Sequence, residues 1–543
     1  MFLRKLFLTQ GIKTGSKEGG SALIGVMGVM GVVGVIAVTI TSMSLHALGY
    51  STSTRAGVQA QAAAEAGIDY AAAGLATALC KPTYSSTTDP IFTVTVAYST
   101  LATSPGDTDT SWVTGCPSTP DAKRLKLVST GSASASGVSG NSSQNVRRVE
   151  AIYVYTPPSY AITPSGAAIY AYAQTDPTIN NLTLTQASTA RPSIQYLSGS
   201  ATCNADTTTI NGDVILGAGA LSLTSGCTIN GDLWASNTVD MQSGEVTGNV
   251  TAAGVVGGTS VSLTNPATID GNVYAAGPVS IKSKVGGNIV SGPTTGTSTF
   301  TSQASVGGSV IAAGTVSAPA GVIKGTITAN KSGIVTPTIP FVPGWVDFAY
   351  NPSDWKNANG TLFTVLTMTA CDATTLANSL ITAQNSLSSI ILDTRVCGVA
   401  TNLAGYNLTL KSDTVIIANG FNLSGNDFES SDTTDKRLWL ILPDTVADKK
   451  PTCPTGSYTK IVNHVTVGPH VGSLIYSPCP IANSGDVWRG QMYSSSVGSS
   501  ASMTLSYLPL GLPSVNLSTG QAIPPPVAGT LGDRQSIRDL NGG

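Results

Sequence analysis

The residues with the clearest chemical potential are eight cysteines and a recurring set of small polar side chains after glycine. The cysteines are Cys80, Cys116, Cys203, Cys227, Cys371, Cys397, Cys453 and Cys479, with separations of 36, 24, 26 and 26 within sequential pairs. An even number of thiols at such spacings suggests local disulfides in an oxidising compartment. Sequential pairing is the expectation, with free buried cysteines as the alternative. The sequence has no C-x-x-C and no zinc-ligand spacing. The polar set is Asp213, Asp232, Asn249, Asn272, Asn288, Ser309 and Thr326, each directly after a glycine. Clustered acids here would suit cation binding or glycan cleavage, which needs two positioned carboxylates with separated pKa values. Only two members are acidic, however, so a side-chain ladder satisfying backbone groups at turns is the favoured expectation. Of three histidines, His464 and His470 are separated by Gly468-Pro469, a poor basis for a shared metal site. No nucleophile elbow, H-E-x-x-H or phosphate-cradling loop occurs. No catalytic residue and no cofactor are expected, and the chain reads as a non-enzyme.

The polar set belongs to a repeat. INGDV (Ile210–Val214), INGDL (Ile229–Leu233), VTGNV (Val246–Val250), IDGNV (Ile269–Val273), VGGNI (Val285–Ile289), VGGSV (Val306–Val310) and IKGTI (Ile323–Ile327) place Ile or Val two residues before each glycine and Val, Leu or Ile two after. The intervals of 19, 17, 23, 16, 21 and 17 residues are too short for propeller blades and suit coils of a parallel β-solenoid. Stacked aliphatic columns would form its core, with glycine permitting the sharp corners. Seven coils would extend about 34 Å. The I-x-G-[DN]-V signature resembles the polymer-forming, bactofilin-like β-helix group over residues 205–330. From 336 to 520 the repeat fades while apolar strand-like runs persist. More β-helix-like coils are the expectation there, with a separate sandwich as the alternative. Residues 521–543 read as a disordered tail.

At the amino end, Arg4, Lys5, Lys13 and Lys17 precede an uncharged run from Gly19 to Thr54, and Ala22–Ile40 is apolar almost throughout. Such a run is long enough to cross a bilayer as a helix, its basic flank cytoplasmic and the remainder outside. Gly25, Gly28, Gly31 and Gly34 form a shallow ridge suited to close helix packing in lipid. The Ala-rich continuation to Cys80 carries Ile68, Ala72, Leu75 and Leu79 as one apolar stripe, and Pro82 ends it. A continuous helix from Ala22 to Leu79 would reach about 87 Å. Three strand-like runs follow, at Ile91–Thr100, Arg124–Ser136 and Val146–Thr156.

A basic leader ending in glycine, the stretch SALIGVMG, and the A-x-x-x-AEAG-x-x-YA pattern from Ala60 to Ala71 resemble a type IV prepilin, in particular its minor pilins. The RLKLVSTG and VRRVEA strands fit the same resemblance. It implies peptidase cleavage between Gly20 and Ser21, an apolar half-helix that first anchors in the membrane and then packs in a filament, and other pilin-like subunits as partners. Major pilins usually begin with Phe and carry Glu at mature position five. Ser21 and Gly25 stand there in this chain, which implies a capping or low-abundance subunit.

Across the chain only 10% of residues are charged, with a net charge of -2, far below the roughly 25% charged content of ordinary soluble domains. Between Arg148 and Lys282 the only basic residue is Arg191, so a nucleic-acid footprint is excluded. The expected fold is mainly β: a leader (1–20), a membrane-spanning and projecting helix (21–80), a small antiparallel sheet (81–160), a parallel β-helix (161–335), the C-terminal β region (336–520) and the tail. The expected role is that of a bacterial cell-surface protein which inserts into, caps or initiates a pilus-like filament and displays a rod for adhesion, with a surface glycan or other surface among its candidate partners. A permanently anchored adhesin and a polysaccharide-cleaving β-helix are the alternatives.

Overall fold

Alanine-rich sequence and the absence of proline carry one helix, α1, from Ser21 to Thr77. In a computed structural model of the chain, the described residues are 21–77, 80–102, 111–117, 122–133, 145–158, 160, 162–174, 178–358, 360–499, 501–524 and 529–540. Gly20 and Leu79 lie outside them; Ser21 is the first residue of α1. Threonines in the exposed half of α1 keep their hydroxyls satisfied within the helix. Thr41, Thr52 and Thr54 donate to the carbonyls of Ala37, Leu48 and Tyr50 at 2.8, 2.9 and 2.9 Å. In hydrocarbon an unsatisfied hydroxyl would be costly.

The chain forms two compact units, one comprising Met1–Ser159 and Pro526–Gly543, the other Tyr160–Pro525. In the first, strands β1 (Thr83–Ser86), β2 (Ile91–Ser99), β4 (Arg124–Ser132) and β5 (Val146–Thr156) pair antiparallel in that order, with short β3 (Val113–Thr114) beside β2. Their inward residues Val94, Val96, Leu125, Leu127, Val149 and Ala151 pack with Ala64, Ile68, Ala71 and Leu75 of α1. Small residues set the contact distance. A Cβ on Gly131 would lie 2.3 Å from the Ala60 carbonyl oxygen, and one on Gly67 would strike Ser129 and Phe92.

One expectation is corrected here. The segment read as a disordered tail contains the strand Thr530–Asp539, antiparallel to β5 with Thr530 opposite Thr156. Arg538 reaches across to the buried Glu150, donating from Nε at 2.9 Å and lying 2.8 Å away through Nη2. Residues Gln521–Ala522 also pair, with Val515–Asn516. The second unit is therefore an insertion between β5 and the last strand of this sheet.

The second unit is a parallel β-helix. Strands such as Val214–Leu216, Leu233–Ala235, Val250–Ala252, Val273–Ala275, Ile289–Ser291 and Val310–Ala312 stack in register. A seven-stranded parallel sheet from Ala201–Cys203 to Thr315–Ser317 forms another face. The region 336–520 adds further coils, including Ile390–Asp393, Thr414–Ile417, Lys436–Ile441, Val471–Ser477 and Val487–Ser494. Its last coils stack on the first coil of the earlier half, with Met492 opposite Ile169 and Leu505 opposite Leu184. One apolar core runs through both halves. Order along the rod thus differs from order along the chain: the chain enters at mid-rod, runs to one end, returns, and builds from the other end back to the middle. Helix α2 (Ala373–Asn385), N-capped by Asp372, buries Leu376 and Leu380 against that core at the first coil of the later half.

The return segment passes over the outside of the coils. Pro337, Pro340 and Pro343 recur every third residue, and exposure follows the same period, with Val335, Thr338, Phe341 and Gly344 outward. This is the three-residue periodicity of polyproline II. Ile334 lies against Gly292, and eleven residues later Trp345 lies 5.1 Å, ring to ring, from Tyr493. Eleven residues at ~3.1 Å make ~34 Å, equal to seven inter-strand steps at ~4.8 Å.

Candidate functional site

Two surfaces collect the residues singled out by sequence, and they belong to different units. The first is the exposed half of α1. Its Leu23–Ala76 segment, with a mean hydropathy of 2.5 in its most apolar window, is long and apolar enough to cross a membrane, and that window is not buried within the chain. Gly25, Gly28, Gly31 and Gly34 have open space around them. Among the described residues nothing packs against this ridge. Farther along, Glu65 of the AEAG stretch is exposed and accepts from Gln61 Nε2 at 2.9 Å. It is a solvated helix residue beside the Ala64 and Gly67 contacts.

The second surface is the polar ladder of the rod. Asp213 Oδ1 accepts the backbone N–H of Asp232 at 2.9 Å, and Asp232 Oδ1 that of Asn249 at 2.7 Å. Asn249 Oδ1 accepts from Asn272 N at 2.9 Å, Asn272 Oδ1 from Asn288 N at 2.8 Å, and Asn288 Oδ1 from Ser309 N at 2.8 Å. Ser309 Oγ closes the series by accepting from Thr326 N at 3.0 Å. Arg191 Nη2 meets Asp213 Oδ1 at 2.7 Å at the head of the ladder. One oxygen of each member from Asp213 to Ser309 is thus committed to the next coil's backbone, as Asx side chains do in turns. The two carboxylates lie among these structural bonds.

The adjacent glycines have a different reason from the one expected. Gly212, Gly231, Gly248, Gly271, Gly287, Gly308 and Gly325 do not adopt the left-handed conformation. They stack. A Cβ on Gly231 would sit 2.0 Å from the Gly212 carbonyl oxygen, and one on Gly248 would sit 2.3 Å from that of Gly231. The corner residues approach too closely for any side chain, which is why the column is glycine.

The cysteines join as Cys80–Cys116, Cys203–Cys227, Cys371–Cys397 and Cys453–Cys479. Cys203 and Cys227 are buried inside the rod. His464 and His470 do not converge. His470 Nδ1 lies 3.5 Å from Asp435, and His464 has the left-handed φ of 65°. Among the described residues no three His, Cys, Asp or Glu side chains gather as metal ligands.

Sequence reasoning missed an aromatic cluster beneath the return segment. Tyr476, Tyr493 and Tyr170 occupy one column on successive coils. Tyr170 and Tyr493 stack at 4.1 Å, and Tyr493 and Tyr476 at 5.6 Å. Tyr170 Oη donates to the Pro343 carbonyl at 2.8 Å and Tyr476 Oη to the Val346 carbonyl at 2.6 Å. Trp345 Nε1 donates to the buried Asp444 at 2.9 Å. Burial raises the Tyr476 and Tyr493 phenols far above their ordinary range, so they remain neutral donors. The available signal was P-x-x-P-x-x-P followed by Trp345, read alongside the aromatic strands.

No protein-family model matches the chain, and no curated protein does. Among solved structures the chain is similar to the competence-associated pilin ComZ from Thermus thermophilus, at 12% identity, over 89% of this chain and 98% of that one, with a TM-score of 0.18. A score of that size carries no argument about fold or function.

Proposed function

We propose that this chain is a pilin-like surface protein, anchored through the first half of α1 and displaying the β-helical unit outside the cell. The observation that carries this is the division of a single helix. Its first half is apolar and bare, while its second half packs on an antiparallel sheet through Ala64, Ile68, Ala71 and Leu75. A bare apolar half-helix needs lipid or neighbouring helices around it, and the glycine ridge suits the latter. Four disulfides fit an oxidising exterior. Cleavage between Gly20 and Ser21 precedes entry into a type IV pilus-like filament, where the missing Glu at mature position five suits a capping or initiating subunit over a bulk one. The rod serves display and adhesion rather than catalysis.

Sequencing the mature amino terminus, together with shearing of cells, tests this. A chain beginning at Ser21 that leaves with sheared filaments is the expected result. Retention of Met1, or cleavage near His46, overturns it. An uncleaved chain that remains with membranes after shearing identifies the permanently anchored adhesin instead.

A further inference from the structure

The end of the rod that carries α2 also carries a strand edge left unpaired. Thr364–Thr367 is the first strand of that end coil and pairs on one side only, parallel to Ile390–Asp393. The Thr364 N–H donates to the Ser389 carbonyl at 2.9 Å and the Met368 N–H to that of Asp393 at 3.2 Å. Even-numbered main-chain groups thus face the neighbour, and alternation turns those of Val365 and Thr367 the other way. Among the described residues these outward N–H and C=O groups have no partner. Thr364, Val365 and Thr367 are exposed, and Leu362 just before them is 54% exposed. Free strand edges elsewhere carry charges: Asp533, Arg534 and Asp539 on Thr530–Asp539, and Lys324 and Lys331 around Ile327–Thr328. Here the guard is missing. Between Lys356 and Asp393 the only charged residue is Asp372. Its carboxylate is engaged in capping α2, accepting from Thr375 N at 2.9 Å and Thr375 Oγ1 at 2.7 Å.

We infer that this edge takes up an extended, uncharged polypeptide segment of a partner protein as an added strand. Outward main-chain donors and acceptors with unguarded apolar flanks are what strand addition requires. Val365 and Leu366 point to opposite faces, so β-branched residues suit both faces of the incoming strand. A second copy of the rod fits less well. Helix α2 belongs to the same end coil, and a helix is about 10 Å across, twice the ~4.8 Å step to a further strand. Another rod end would meet α2 before its own strand reached Thr364–Thr367, whereas a single extended chain lies beside the helix. Strand uptake concerns the rod alone and holds whether or not the chain enters a filament.

The test titrates the full-length, detergent-solubilised protein against a fluorescein-labelled peptide of alternating threonine and valine, followed by fluorescence anisotropy. Saturable binding that is insensitive to added salt is expected. N-methylation of alternate residues, which removes the peptide's pairing N–H groups, should abolish it. Thr367→Pro deletes an outward N–H and leaves the bonds to Ile390–Asp393 in place. Val365→Lys adds a guarding charge at an exposed position and should leave thermal unfolding unchanged. Each variant should weaken binding about ten-fold, one decade of affinity. Leu387→Ser, 87% exposed and off the strand, should bind as the parent does. No binding by the parent, equal binding of the N-methylated peptide, or parent-like binding by Val365→Lys overturns the inference. Self-association that Val365→Lys abolishes, without peptide uptake, assigns the edge to a second copy and overturns it as well.

Discussion

Gly231 and Asp232 show how two neighbouring residues divide the work of one corner. Gly231 lets the coils approach, and the Asp232 carboxylate ties the next coil's N–H. Gly231→Ala should therefore cost about 1–3 kcal/mol through overpacking, measured by thermal or denaturant unfolding. Gly344→Ala, made where there is open space, should change stability by less than about 0.5 kcal/mol. Asp486 supplies a pH-dependent counterpart. It is buried, its Oδ1 accepts from Val465 N at 2.8 Å, and burial raises its carboxyl above the ordinary value. A raised acid binds its proton more tightly in the folded state, so its contribution is unfavourable at neutral pH. Stability is recovered as pH falls through the folded pKa toward the unfolded value near ~3.9. Asp486→Asn keeps an accepting oxygen and should melt higher than the parent at pH 7. The difference should shrink as pH is lowered toward 4, and a constant offset would contradict it.

At the scale of elements, the return segment makes its own hydrogen bonds scarce and relies on the tyrosines beneath it. Tyr476→Phe removes the donor to the Val346 carbonyl and the acceptor of the Phe348 N–H. The expected loss is about 1–3 kcal/mol, with faster limited proteolysis between residues 335 and 350 as the more direct readout. This element marks the boundary of what could be read beforehand. The coils from Ile210 to Ile327 were legible because each repeats the same glycine and aliphatic positions, and α1 because apolar length and alanine content act locally. The strands β2, β4 and β5 were equally visible in their alternation. The later coils vary in width and bury both faces under the return segment, so Thr414–Ile417 and Lys436–Ile441 read as continuous apolar runs without a period. Their place before the earlier coils along the rod depends on contacts between Met492 and Ile169, more than three hundred residues apart. The strand Thr530–Asp539 was missed because it is an exposed edge strand of mixed polar residues, recognisable only from its partner β5.

For the whole molecule, the two ends of the rod differ. Helix α2 covers the core at one end, while at the other the last coil exposes Ile327 (52%) with Lys324 and Lys331 also exposed. Lysines at a bare strand edge discourage pairing between copies. Replacing Lys324 and Lys331 together by Val should promote concentration-dependent self-association, visible by light scattering or sedimentation, with little change in the melting of the monomer. The insertion of this rod between β5 and the last strand has a consequence for how the molecule responds to proteolysis. Because the polypeptide leaves the first unit at residues 156–160 and rejoins it at 525–530, one cut in an exposed rod loop severs the chain without freeing either piece. One fragment keeps α1 and the other keeps the strand zipped to β5. A nicked molecule stays whole in its native state and parts only on denaturation, so damage by a single protease event would be silent under native conditions and visible on a denaturing gel.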